Sequence, residues 1–192
     1  MMIMWAGKYR RSMRLPGYDY SQPGAYFLTM CTQNRQCLFG EIEHTQMHLN
    51  DAGQMVQVVW NELSLHYQGV ETDAFVIMPN HVHGIIILVG AGPCACPVTK
   101  GQPQGVAPTK GLPDMVRHFK TMTIKRYSDA VQQQQWPKYK EKLWQRNYFE
   151  HIIRDDKQLN RAREYILNNP LQWALDENNP EKINDGEQRK SK

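Results

Sequence analysis

The strongest hydrophobic signal in the chain is Ile85-Ile86-Ile87-Leu88-Val89, a continuous aliphatic run of the kind that forms a buried strand. It is entered through His81-Val82-His83-Gly84, so the pattern predicts one strand over 81–89. A partner strand is expected over 72–78, joined to it at Pro79-Asn80, a turn signal. Upstream, 25–34 reads as a first strand, and 50–68 as a helix with Met55, Val58, Val59 and Leu63 on its apolar face. Residues 90–111 are rich in Gly, Pro and Ala without periodicity and read as a connector. A second helix follows over 114–134, with Met115, Phe119, Met122 and Tyr127 as its stripe, then a strand over 143–153. The last helix starts at Asp155 or Asp156, good N-caps, and carries Leu159, Ala162 and Ile166 at helical spacing. Pro170 disfavours helical geometry at Asn169 and ends it there. From Asp176 to 192 the chain is polar and reads as a frayed tail. Strand-helix-strand-strand-helix-strand-helix implies an α+β protein: one ferredoxin-like domain over 1–175, a central antiparallel sheet with helices on one face.

Composition narrows this picture only slightly. At 192 residues the chain is long enough for one real core. Its net charge of +4 permits nucleic-acid binding without demanding it. The candidate electrostatic footprints are an N-terminal arm holding Arg11 and Arg14, and the second helix with Arg117, Lys120, Lys125 and Arg126. No apolar run is long enough for a bilayer and no signal peptide is evident, so a cytoplasmic protein with no membrane partner is expected. Cys31, Cys37, Cys94 and Cys96 form no Cys-x-x-Cys pair, which argues against structural zinc and for reduced thiols.

Two segments carry candidate chemistry. Side chains alternate along a strand, so His81 and His83 point the same way while Val82 points into the core. Such a pair can chelate a metal, or each ring can simply be satisfied by backbone or water; the spacing leaves both open. Tyr165 and Asn169 are helix neighbours, with Arg161 one turn earlier; on periodicity alone this stripe reads as surface packing before it reads as a site. His151 reads as a packed or supporting histidine, Glu150 and Glu164 as solvated acids, His118 as a surface residue, and Trp144 and Trp173 as core aromatics.

Taken together, His81-Val82-His83 on a strand and Tyr165-x-x-x-Asn169 on a later helix resemble the HUH single-tyrosine transposases, and among them the REP-associated tyrosine transposases of bacteria. The resemblance extends to 14–20, 26–35, Met78-Pro79-Asn80-His81-Val82-His83 and 144–154, in that order. It implies the same sheet architecture, Tyr165 as nucleophile in preference to Tyr148, and a metal held by His81, His83 and Asn169. Two imidazoles and an amide oxygen leave positions open on a six-coordinate ion such as magnesium or manganese. The resemblance further implies cleavage and rejoining of single-stranded, hairpin-forming repetitive palindromic DNA through a 5′-phosphotyrosine. His151 and Arg161 are candidates to support that site. A monomer or homodimer is expected. The alternatives are a non-catalytic nucleic-acid binder that kept the fold, and a metal phosphodiesterase using water, for which Tyr165 would be dispensable.

Overall fold

A computed structural model describes residue 15 and residues 17–89, 110–133 and 136–182. Arg11, Arg14, Cys94, Cys96 and most of the expected connector lie outside the described residues.

Four strands form the central sheet: β1 (Gly24–Cys31), β4 (Val70–Met78), β5 (His81–Leu88) and β6 (Phe149–Ile153). Their order is β4-β5-β1-β6, and every neighbouring pair is antiparallel. Both crossovers therefore skip one strand, the ferredoxin-like arrangement expected from the element order. A separate hairpin, β2 (Gly40–Glu43) and β3 (Gln46–Leu49), had no counterpart in the sequence reading. Its turn places His44 and Thr45 in the left-handed region, φ 48° and 67°, without the Gly, Asn or Asp that signals such a turn.

The first helical stretch is broken. Asn50 caps α1 (Asp51–Asn61) by accepting from the Gly53 amide, and α2 (Leu63–His66) follows after Glu62. Its buried stripe is Ala52, Val56, Val59 and Trp60, whereas Val58, expected inside, is 49 % exposed. Trp60 explains the shift: it stacks on Phe75 at 4.2 Å between ring centres and lies over Gly84. A Cβ at Gly84 would meet the indole at 2.5 Å, so the glycine permits this contact. The second expected helix is α3 (Leu112–Gln133). The strand expected over 143–153 is regular only from Phe149; before it, Trp144 makes a single bridge to Thr32.

Helices do not all lie on one face. α1 and α3 cover Tyr26, Leu28, Met30, Val82 and Ile86 in the main core. The last helix, α4 (Asp156–Leu167), capped by Asp155, packs Ala162 and Ile166 on Phe27, Ile85 and Ile153 across the opposite face. That face carries enough apolar surface to hold a helix of its own. A bulge between Thr72 and Phe75 frees Asp73 to receive Arg163 of α4 through both carboxylate oxygens, at 2.9 and 2.5 Å.

Candidate metal and nucleophile site

Strand alternation puts His81 and His83 on the α4 face, both buried. Their Nε2 atoms stand 3.0 Å apart. Asn80, fully buried in the turn before β5, sets the chemistry of His81. Its Nδ2 donates to the carbonyls of Arg35 and Asn178, at 3.1 and 2.7 Å, so its Oδ1 is an acceptor. That oxygen lies 2.8 Å from His81 Nδ1, which must therefore carry the proton, and Nε2 keeps its lone pair. Thr29 Oγ1 lies 2.7 Å from His83 Nδ1. A hydroxyl donates or accepts by rotation, so His83 can also turn a bare Nε2 toward its neighbour.

The third group is one that sequence polarity concealed. Asp176, read as the start of a frayed tail, has its Oδ2 3.7 Å from His81 Nε2, and its side chain is 9 % exposed. A short 3₁₀ stretch, Pro170–Leu175, carries the chain back over the sheet, and Asn178 fastens it through Asn80. Ligand atoms of His81, His83 and Asp176 all lie within 4.8 Å of one another, and the three can hold a metal ion. The 3.0 Å nitrogen separation equals that of adjacent corners of an octahedron with bonds of about 2.1 Å. Asn169 is buried just beyond α4, and its Oδ1 has no hydrogen-bond partner among the described residues, which leaves its lone pairs open to a hard ion.

Tyr165 stands beside this group, its ring centre 5.2 Å from that of His83 and 5.8 Å from that of Phe27. Burial pushes its phenol up to about 12, and the Asp176 carboxylate pushes the same way; a hydrogen bond from Asn169 works in the opposite direction. Burial also holds both histidines neutral: His81 is pulled down to about 3, helped by Arg35, and His83 lies well below its usual value, helped by His81. An ionised tyrosine here needs positive charge nearby, and the place for it is between the two imidazoles and Asp176.

His151 is half-buried on β6, its Nε2 3.4 Å from Gln158 Oε1, and it lines one small cleft with Tyr165, Phe27, Ile153, Gln158 and Ala162. Arg161 is exposed, while its neighbour Arg163 makes the ion pair to β4. Tyr148 packs into the main core under Lys120, away from the histidines. Glu150 is not solvated: it lies opposite Leu28 on the α1/α3 side, 8 % exposed, and neither carboxylate oxygen has a hydrogen-bond partner among the described residues. Trp144 is core, its indole N–H donating to Thr123, and Trp173 stands 6.1 Å from the His81 ring.

The expected footprint on α3 is mostly committed elsewhere. Lys120 donates to the carbonyls of Gln145 and Asn147, and burial pulls it down to about 8. Arg126 grips both oxygens of Glu62, at 2.9 and 2.7 Å. Arg117 pairs with Asp114. Lys125 is exposed and makes no ion pair among the described residues. Charge reversal at Lys120 or Arg126 would therefore perturb the fold before it reported on any ligand.

No protein-family model matches the chain. It is 40 % identical over 178 residues to an uncharacterised protein of Haemophilus influenzae, covering 88 % of this chain and 92 % of that protein, and the two belong to one family. It is 29 % identical over 156 residues to a putative REP-associated tyrosine transposase of the same organism, covering 80 % of this chain and 73 % of the relative. The fold matches that of a REP-associated tyrosine transposase solved bound to a REP hairpin, with a TM-score of 0.52 at 20 % identity, over 87 % of this chain and 74 % of that one.

Proposed function

The chain is a relative of the REP-associated tyrosine transposases, and from that premise we propose that it cleaves and rejoins single-stranded, hairpin-forming DNA through an HUH-type site with Tyr165 as nucleophile. The observation that carries this reading is the seating of Tyr165 against His83, with Asn169 and Asp176 both acting on its hydroxyl. A divalent ion, magnesium or manganese, held by His81, His83 and Asp176 with Asn169 as a further donor, would offset charge building on a phosphodiester and favour the phenolate. Asn80 and Thr29 hold the two rings so that both Nε2 atoms face the same point. α4, locked to β4 by Arg163 and Asp73, holds the tyrosine over them. Tyr165 Oη attacks phosphorus, its proton passing to solvent, and the P–O bond to the 3′ oxygen breaks. That oxygen leaves as a hydroxyl after taking a proton. The phosphotyrosine linkage keeps the bond energy, so another strand's 3′-hydroxyl reverses the step without ATP. Lys125, Arg117 and, beyond the described residues, Arg11 and Arg14 are candidate phosphate contacts.

The test is incubation with a single-stranded hairpin oligonucleotide and manganese, followed by a denaturing gel. A covalent protein–DNA adduct is expected from the native chain and none from Tyr165→Phe, with Tyr148→Phe retaining it. Cleavage without adduct would assign the reaction to water, and a mobility shift without cleavage would leave a binding protein.

A further inference from the structure

The residues that lead from α3 to β6 are more cationic than α3 itself. Lys138, Lys140, Lys142 and Arg146 are all exposed and make no ion pair among the described residues, against one acid, Glu141. Around the start of α4 the exposed cations are diluted: Arg154, Lys157 and Arg161 are interspersed with Asp155, Asp156 and Glu164. The segment is also held firmly, which an ordinary solvated loop is not. Tyr127 donates to the Pro137 carbonyl at 2.9 Å, and Tyr139 packs on Tyr127 and lies 3.3 Å from Ser128 Oγ. Leu143 and Trp144 are buried, and Lys120 binds the carbonyls of Gln145 and Asn147 from beneath. With Tyr139 and Leu143 turned inward, the lysines between and beside them are left outward on a fixed backbone. The far end of the segment is stitched to the end of β1: the Gln33 amide donates to Leu143, and the Gln145 amide to Cys31, at 2.9 Å each. Cys31 is the register partner of His81. A polyanion laid along these cations is thus delivered to the end of the sheet that holds the histidines.

We propose that residues 138–146 form the track for the phosphodiester backbone of the nucleic-acid strand on which Tyr165 acts, and that the half-buried Lys120 serves to hold this track in place. The inference rests on the nuclease reading above and adds where the strand runs. It requires phosphate contacts that read charge, not sequence.

The test measures binding of a fluorescent hairpin oligonucleotide with a single-stranded 5′ flank across a salt series, beside the adduct assay. Replacing Lys138, Lys140, Lys142 and Arg146 by Gln together should weaken binding at least about tenfold at 0.1 M salt and reduce the slope of log affinity against log salt by about 3. The charge-preserving variant with arginine at the three lysines should bind as the native chain does. At equal charge removed, Lys140→Gln with Lys142→Gln should cost more affinity than Arg117→Gln with Lys125→Gln. An unchanged salt slope in the fourfold variant, or a larger loss from the α3 pair, would overturn the track while native adduct formation left the nuclease reading standing. A native chain that neither binds the hairpin nor forms the adduct would remove the reading on which the track depends.

Discussion

On β1 and β5, Tyr26, Leu28, Met30, Val82 and Ile86 face α1 and α3, while Phe27, Thr29, Cys31, His81 and His83 on the same two strands face α4. The first set is aromatic and aliphatic and closes against Trp60, Phe119 and Trp144. The second places two histidines and a threonine under a helix, with Asn169 Oδ1 buried and the half-buried Tyr165 beside them. One face stabilises the domain by removing apolar area from water. The other spends part of that gain on desolvating two imidazoles, a threonine hydroxyl and the Asn169 amide, as functional sites commonly do.

This contrast can be broken most forcefully at Trp60. Trp60→Ala should lose about 3–5 kcal/mol in denaturant unfolding, because the cavity beneath the stacked Phe75 and over Gly84 cannot collapse. Tyr165→Phe on the opposite face should change stability by less than about 1 kcal/mol; a comparable loss at both positions would erase the distinction. Next in size is acid. His81 titrates near 3 in the fold against 6.5 when unfolded, so the unfolded chain binds the extra proton between those values. Stability is full above about pH 6.5 and falls as pH drops toward 3, by up to about 1.4 kcal/mol per unit for each buried histidine. Equilibrium unfolding of native and His81→Asn, His83→Asn chains at pH 7 and pH 5 should show a steeper acid loss in the native protein. Asn80→Ala should then weaken manganese binding about 10- to 100-fold by calorimetric titration, since His81 loses the acceptor that fixes its proton. Undiminished affinity would mean that Asn80 only shapes the turn. Smallest is Asp73→Asn, expected to cost about 1 kcal/mol or less, because Arg163 remains partly exposed to water.

Residue pattern revealed the central strands because their alternation reports burial directly, and it revealed the start of α4 through Asp155; at the other end Asn169 keeps helical angles, φ −60° and ψ −42°, against the expectation from Pro170, and leads straight into the 3₁₀ stretch. The pair His81 and His83 was visible for the same reason: period two fixes which side chains share a face. Asp176 was not. It lies in a polar stretch whose order comes from a carbonyl bond to Asn80, and composition does not register a contact across 98 positions. The α3 cations were overread for a related reason, since sequence shows a charge but not whether Glu62 or a backbone carbonyl already holds it. Val58 was placed inside because a helical stripe is broad, and only Trp60 settles which edge of it turns inward.

Asn178 joins partners that are 98 and 147 positions away, Asn80 and Cys31. Contacts of that separation close late, because the intervening chain must surrender its freedom before they return anything. The ferredoxin-like sheet and its main core contain no residue beyond β6 and can assemble first. The refolding domain should therefore recover its near-ultraviolet signal from Trp60 and Trp144 before it can hold a metal ion. A stopped-flow experiment should show two events, with cation capture lagging behind the core, so that the pocket around His81 and His83 is completed only when the chain is otherwise finished folding.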